Sequence, residues 1–424
     1  MKKTLEKILA FLAQAIVNKY KPKIVGITGS MGKTSAKEAV FAVLKTKFNA
    51  RENIKNYNNE IGVPLTIIGA ETGGKSPLGW LKVFGRALGL IFGQDKNYPE
   101  ILVLEMGADK PGDIGYLTEH FPCDIGVVTK VGPAHLEAFK TVENIAKEKQ
   151  KIVTHLGKEG IAILSYDDPL VREMHKRVKA KVVFFGQVEA ANVRSIELIQ
   201  QGRDMDLSGI KFKIAYQGSA VPVYLPGVVG AHQINSALIA AAVGLSLNMN
   251  LIEVSEGLRD YKTPKGRMNL IAGKNSTLII DDTYNSSPRA AAAALDALAD
   301  LNVGGAERKV VILGDMLELG DFTEQAHIDL GQKAAATGVK LLVCVGAFSD
   351  MIARGAIENG LHEIVKFVDS REAMKKVGEL IKENDLILVK GSQGARMERV
   401  VFALMKEPEK ARELLVRQDN EWKN

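Results

Sequence analysis

Residues 26–34 read Gly-Ile-Thr-Gly-Ser-Met-Gly-Lys-Thr and follow directly on the strand-like Lys23-Ile24-Val25. A Gly-rich turn between a strand and a helix, ending in Lys-Thr, suits a phosphate chain. Glycines bare the backbone N–H groups, Lys33 adds a point charge, and the Thr34 hydroxyl can hold Mg²⁺. Gly29, Ser30, Met31 and Gly32 would form the cradle. The first glycine, Gly26, sits one residue too early for G-x-x-x-x-G-K-[ST], so the chain carries G-x-T-G-S-x-G-K-T instead. ATP is the ligand this turn predicts.

Working outward, short apolar runs alternate with helix-period stretches. Ile24–Ile27, Ile101–Glu105 and Ile125–Thr129 read as buried parallel strands covered by helices. Between Val182 and Tyr224 short alternating segments with turns at Gly202, Gly209 and Gly218 predict a small antiparallel insert, and Gly227–Met249 reads as an Ala-rich helix. Lys262-Thr263-Pro264-Lys265-Gly266 has linker chemistry. Beyond it, Thr277–Asp281, Lys309–Leu313, Leu341–Val345 and Leu386–Val389 predict a second wound unit. The expected fold is α/β: a central P-loop-type parallel-sheet ATPase domain (23–263) with the insert, then a C-terminal Rossmann-like α/β domain (264–424).

Composition agrees with a two- or three-domain globular chain: 424 residues, 46% hydrophobic and 25% charged. Cys123 and Cys344 lie in apolar runs without zinc-spaced partners, which suits core residues of a reducing, cytoplasmic compartment. The formal charge of +6 is spread along the chain and no nucleic-acid module is recognisable, so an anionic small molecule is the expected partner rather than nucleic acid. Residues 1–22 carry Leu5, Ile8, Leu9, Leu12 and Ile16 at helical spacing among lysines. That segment is too short in apolar run to span a membrane, and a cleaved leader would strand an ATP site outside the cell. It reads as an amphipathic helix packed on the first domain or lying on a membrane surface.

Two further loops carry chemistry. Glu105, in Leu102-Val103-Leu104-Glu105-Met106-Gly107, sits at the C-terminal end of a buried strand, where ligands of open α/β sheets bind. A bound Mg²⁺ would compensate a carboxylate there. His135, in Thr129-Lys130-Val131-Gly132-Pro133-Ala134-His135-Leu136-Glu137, follows the next strand and is a metal-ligand candidate on the same edge.

Together with Asn56-Tyr57-Asn58-Asn59-Glu60-Ile61-Gly62-Val63-Pro64-Leu65-Thr66, Asp281-Asp282-Thr283-Tyr284-Asn285-Ser286-Ser287-Pro288, Leu313-Gly314-Asp315-Met316-Leu317-Glu318-Leu319-Gly320 and Val389-Lys390-Gly391-Ser392, these motifs resemble the Mur ligases. The nearest pattern is the MurF type, which adds D-alanyl-D-alanine to a UDP-N-acetylmuramoyl-tripeptide in peptidoglycan synthesis. The resemblance runs in order from about residue 23 to 405. It implies a cytoplasmic, monomeric ligase that phosphorylates a carboxylate with ATP and lets an amine attack the acyl phosphate.

It also implies roles. Lys33, Glu105, His135 and Lys149 would be catalytic, with Thr34, Glu105, His135 and Lys149 holding one or, more fully, two Mg²⁺ ions. In many Mur ligases a carbamylated lysine holds the second metal. Lys149 matches, in Ala146-Lys147-Glu148-Lys149, with Lys147 the close alternative and a solvated Lys-rich face the plain reading. Gly230-Ala231-His232-Gln233-Ile234-Asn235 resembles the family's adenine segment, giving Asn235 the base, Arg267 phosphate and Asp282 the ribose or ATP-site lysines. Asn58, Asn59, Tyr284, Asn285, Lys390 and Ser392 would face substrates, and closure about the linker would assemble the site.

Departures from the pattern are Gln233 for the usual Asn, Lys130 for Asn, and Gln393 for Arg, with Arg396 a possible substitute one turn on. MurF enzymes also carry an N-terminal domain that grips UDP, whereas 22 residues precede Lys23 here, so another hold on the acceptor is expected. The basic amphipathic stretch Lys75–Phe92, with Trp80, Leu81, Phe84 and Leu88, is a candidate for that hold, for a peripheral membrane contact, or for plain packing on the sheet. The remaining alternatives are a Mur-type ligase with a lipid-linked or other acceptor, and an inactive nucleotide-binding regulator.

Overall fold

Buried β-branched runs set the architecture, because a strand apolar on both faces needs helices above and below it. The computed structural model describes residues 2–53, 57–133, 135–203, 206–301, 308–418 and 422; the motif residues Asn56 and Ala134 lie outside these. The chain divides into two compact units. One comprises Met1–Leu198, Phe212–Tyr224 and His232–Tyr261, the other Ile199–Lys211, Leu225–Ala231 and Lys262–Asn424.

The first unit is organised on β1 (Lys23–Thr28), β2 (Ala50–Glu52), β3 (Ile101–Glu105), β4 (Ile125–Val128), β5 (Ile161–Ser165) and β6 (Lys181–Gly186). These pair in parallel in the order β2-β3-β1-β4-β5-β6. β1 therefore lies between β3 and β4, at the point where the winding reverses, and the P-loop leaves its C-terminal end. Ile27 is paired with Glu105 and Thr28 with Val128, so three chain exits lie side by side.

The alternating stretch is not a separate layer. β7 (Val193–Arg203) pairs in parallel with β6 through Phe185–Val193, and β8 (Asp206–Tyr216) and β9 (Ser219–Leu225) continue the same nine-stranded sheet. Lys181–Gly186, read above as part of the insert, belongs to the parallel portion. Adding strands there covers an edge that would otherwise expose unpaired backbone. The Ala-rich helix is shorter than expected, Gln233–Ser246, because Gly227 and Gly230 take positive φ angles of 67° and 91° and make Gly227–His232 a turn.

At the N-terminus α1 (Lys2–Tyr20) buries Leu9, Ala10, Leu12, Ala13 and Ile16. It packs on α3 (Gly62–Ile68) and α4 (Pro77–Phe92), while α2 (Lys33–Leu44) starts at the P-loop. Among the described residues no helix is long and apolar enough to cross a membrane.

The second unit holds β10 (Asn269–Ala272), β11 (Leu278–Asp282), β12 (Lys309–Gly314), β13 (Leu341–Val345), β14 (Ile364–Phe367) and β15 (Leu386–Lys390), in the order β10-β11-β15-β12-β13-β14. All neighbours are parallel except β10–β11. Four of these six strands were legible as apolar runs. The edge strands β10 and β14 were not, being four residues long and only partly buried.

Candidate functional site

In the first unit the P-loop is shaped by two glycines. Gly29 (φ 153°) faces Thr129, where a Cβ would come 1.9 Å from Oγ1, and Gly32 (φ 80°) opens α2 without a side-chain cap. The loop is held against the exit of β4. Ser30 N donates to Lys130 O (2.7 Å), Ser30 Oγ to Gly132 O (2.9 Å), and Thr129 Oγ1 to Met31 O (2.6 Å). Lys33 Nζ donates to Gly29 O at 2.9 Å, curled over its own loop, and Thr34 is half-buried in the first turn of α2.

The exit of β3 is tied to the same strand: Thr28 Oγ1 donates to Met106 O (2.8 Å) and Met106 N to Ile27 O (2.8 Å). Glu105 is buried, and its Oε1 accepts from Asn58 Nδ2 at 3.0 Å. Asn53, a residue the motif reading passed over, fixes the Glu105 backbone N–H with its side-chain oxygen. Asn59 behaves differently from Asn58. Its Oδ1 accepts from Gly62 N (2.9 Å) and Ile61 N (3.2 Å), a local turn role at the start of α3.

Lys149 joins these groups. It lies on the helix Val142–Thr154 and is buried, and burial with the neighbouring Lys33 charge pushes its amine down to about 7 against the pull of Glu148, Asp109 and Glu105. Lys147 is exposed, since two residues along a helix turn about 200°. His135, exposed and at φ 50°, places Nε2 3.7 Å from Asp109 Oδ1. Lys149 is thus within electrostatic reach of Lys33, Glu105 and Asp109, and Asp109 in turn faces His135. Asp109 is two residues past the motif that pointed to Glu105, and position alone could have flagged it.

Among the described residues no three His, Cys, Asp or Glu side chains form a ready metal cluster. The donors present still suit Mg²⁺, a hard cation that keeps waters and phosphate oxygens and needs only one or two carboxylates. Glu105 supplies one, and a carbamate on Lys149 would supply another.

A pocket of about 530 Å³ opens beside the P-loop strap, lined by Lys130, Tyr166, Asp167, Arg172, Gln187 and Asn235. Asn235 Oδ1 is buried without a hydrogen-bond partner, an orphan acceptor that an exocyclic amine would satisfy. Gln233 points elsewhere: its Oε1 accepts from Tyr261 OH at 2.7 Å inside the core. Tyr166 and Asp167 were missed with β5, although Asp168-Pro169 after that strand is a helix-start signal; Asp168 caps Leu170 and Val171 and also holds Val131 N (3.0 Å).

The second unit gathers the other predicted residues. Asp282 and Lys390 are paired in register, the buried Lys390 forms an ion pair of 2.6 Å with half-buried Asp282, and Lys390 Nζ also donates to Asn285 O (3.0 Å). Ser392 Oγ accepts from Leu317 N (2.9 Å) and donates to Ser286 O (3.2 Å), while Asn285 Oδ1 accepts from Ser286 N (2.9 Å). Lys390 and Ser392 therefore brace three loops. The Arg267 guanidinium lies 4.2 Å from the Tyr284 ring centroid. At the end of β11 Asp281 is fully buried, and burial raises its carboxyl to about 7.

Arginines make up most of what the sequence reading did not reach in this unit. A pocket of about 370 Å³ is lined by Asp315, Gly346, Asp369, Arg371, Arg396 and Arg399. Burial and the charges of Arg396 and Arg371 lower the Arg399 pKa against the pull of Glu398 and Asp369, as expected where three guanidinium groups line one pocket. Arg396 is held by Glu398 (2.5 Å), and Asp315 accepts from Ala347 N and Phe348 N, 3.0 Å each.

Comparisons with known proteins agree with this arrangement. A family model described as Mur ligase middle domain matches residues 87–244, and one described as Mur ligase, glutamate ligase domain matches 266–393. The UDP-N-acetylmuramoyl-tripeptide–D-alanyl-D-alanine ligase of Escherichia coli is 30% identical, over 93% of this chain and 80% of its own length. The ligase of the same name from Bacillus subtilis is 28% identical over 94% and 79%. The crystal structure of MurF ligase from Thermotoga maritima in complex with ADP superposes with a TM-score of 0.76 at 28% identity, covering 96% of this chain and 84% of that one.

If Asn235 reads an adenine amine, Asn235→Ala should weaken ATP binding about tenfold, the worth of one buried hydrogen bond. It should also narrow the preference for ATP over GTP. Titration calorimetry with both nucleotides checks this, and an unchanged ATP-to-GTP ratio would remove Asn235 from the base site.

Proposed function

The chain belongs to the Mur ligases, and from that premise we propose that it is an ATP-dependent, MurF-like ligase that joins D-alanyl-D-alanine to a UDP-N-acetylmuramoyl-peptide in peptidoglycan precursor synthesis. The observation that carries the reading is the buried amine of Lys149 within reach of Lys33, Glu105 and Asp109. In this chemistry a carboxylate oxygen of the acceptor attacks the γ-phosphorus of ATP and ADP leaves. The amine nitrogen of the dipeptide then attacks the acyl carbon, phosphate departs, and the nitrogen loses its proton as the amide forms. Phosphoryl transfer asks for positioning and charge neutralisation more than for covalent help.

Residue roles follow from chemistry. Gly29, Ser30, Met31 and Gly32 offer backbone N–H groups, Lys33 neutralises phosphate charge, and Asn58 orients Glu105. Thr34, Glu105, His135 and a carbamylated Lys149 would hold Mg²⁺, whose part is to neutralise phosphate oxygens. A lysine with its ordinary pKa is neutral in about one molecule in a thousand at pH 7.5, whereas one near 7 is mostly neutral and able to add CO₂. In the second unit we assign Arg267 to phosphate, Asp282 to the nucleotide's ribose, and Tyr284 and Asn285 to substrate. The arginine-rich pocket would take the carboxylate of the incoming dipeptide, the one anion that substrate offers.

Domain limits of 23–263 and 264–424 fit these roles. Nucleotides and UDP-sugars are cytoplasmic metabolites, so the cytoplasm is the proposed compartment. A monomer is the proposed unit, as the resemblance to the Mur ligases implies.

Phosphate release should require a UDP-muramyl tripeptide and D-alanyl-D-alanine together, and Lys33→Ala should cut it at least a hundredfold. Turnover with a single amino acid in place of the dipeptide would overturn the assigned amine.

For the second unit, Arg371→Ala and Arg399→Ala should each raise KM for the dipeptide about tenfold or more while leaving KM for ATP in place. An effect confined to ATP would move the dipeptide elsewhere.

For Lys149, the neutral amine needed for carbamate forms as pH rises through about 7. Protein in ¹³C-bicarbonate at pH 8 should show a carbamate carbon resonance that Lys149→Arg abolishes with activity; a resonance that survives in the variant would clear Lys149.

A further inference from the structure

α4 (Pro77–Phe92) is apolar on both sides. Its inner side buries Val83, Ala87 and Leu90 in the core shared with α1 and α3. A surface helix normally turns polar residues outward. Here Leu78, Leu81, Leu88 and Phe92 point to solvent, with 72%, 66%, 45% and 84% of their surface exposed. At 100° per residue these four fall within an arc of about 80°, and Lys82 and Arg86 form the strip beside it. Gly85 and Gly89 lie on the outer side too, with open space where a Cβ would stand.

The helix is fixed in place. Ser76 caps its start through Gly79 N (3.1 Å), and Arg86 Nε donates to Ile68 O (2.9 Å). At the other end Lys19 Nζ of α1 donates to Leu90 O and Ile91 O, 2.9 Å each, and Tyr20 OH to Leu90 O (3.1 Å). The outward leucines are therefore presented on a rigid base.

Charge identifies what covers them. Residues 72–94 contain no Asp or Glu, while Lys75, Lys82 and Arg86 are basic. A second copy docking on the same face would bring only further cations, its own Lys82 and Arg86, with no acid in the segment to receive either pair. A bilayer surface that carries anionic headgroups meets both needs at once: acyl chains for the leucines and phosphates for the flanking cations.

We propose that α4 is an in-plane membrane-surface helix, seating Leu78, Leu81, Leu88 and Phe92 at an interface of anionic phospholipid, with Lys82 and Arg86 on headgroup phosphates. The contact is peripheral and independent of the ligase chemistry, so it stands or falls apart from the proposed function.

The test uses the full chain and vesicles of pure phosphatidylcholine or of phosphatidylcholine with phosphatidylglycerol. Sedimentation should recover the protein with the phosphatidylglycerol vesicles, and Leu81→Glu with Leu88→Glu should lower that partitioning at least tenfold. ATP binding in vesicle-free buffer should be unchanged in the same double variant, whose two positions are exposed and outside the P-loop and its pocket. Lys82→Gln should weaken binding and flatten its salt dependence. The proposal fails if wild-type protein ignores both vesicle types, or binds both equally. It also fails if the glutamates leave partitioning intact, or if sedimentation velocity shows a dimer that they dissociate.

Discussion

Parallel pairing of β3, β1 and β4 holds Ile27 level with Glu105 and Thr28 level with Val128, so the chain leaves the sheet three times along one edge. The rest of the site depends on that register. A slip of one residue would send each exit side chain to the opposite face of the sheet. The three loops are then locked to one another by Thr28 to Met106, Ser30 to Lys130 and Thr129 to Met31, so the cradle and the acid beside it are positioned by the main chain and not by long side chains. Gly29 is the residue that allows the closest approach, since Thr129 fills the place of its Cβ.

Within that frame the dominant cost is electrostatic. Moving the Lys149 amine from 10.5 to about 7 corresponds to roughly 5 kcal/mol against the ammonium form. Below about 7 the folded protein carries this penalty in full, and it fades between about 7 and 10.5, where only the unfolded chain binds the proton. A carbamate changes the sign of the group, so Lys33 turns from a repelling neighbour into an attracting one. Buried Asp281 is the mirror case in the second unit, a carboxyl whose raised value favours the neutral acid at the end of β11.

Much of this was legible because chemistry-bearing residues sit at strand ends, and strand ends can be found from apolar runs. Glu105 closes Ile101–Glu105, and His135 and the P-loop follow strands of the same kind. β5 escaped, and Tyr166, Asp167 and Arg172 escaped with it, since a five-residue apolar run can belong to a helix as readily as to a strand. Lys149 could be named by its motif, but its burial could not: a Lys-rich stretch looks solvated until the helix phase is known, and the phase puts Lys147 outside and Lys149 inside. Arg371 and Arg399 had no local signal at all. Their meeting beside Asp315 depends on the order β15-β12-β13-β14 across the sheet.

The departures from the family pattern make sense by the same argument. Gln233 replaces Asn at a position whose side chain turns inward, where the longer amide reaches Tyr261 OH at 2.7 Å and leaves the pocket to Asn235. Gln393 lacks the usual guanidinium, yet Arg396 lines the pocket one turn on, at φ 56° and fixed by Glu398. Lys130 keeps its backbone carbonyl on Ser30 N while the residue lines the pocket that holds Asn235. Gln233 gains a buried side-chain partner, the Arg396 charge stays in its pocket, and the Lys130 main-chain bond survives its substitution. A change that removed the orphan acceptor of Asn235 would have no such substitute nearby, because no other buried side-chain acceptor among the described residues lining that pocket is left without a partner.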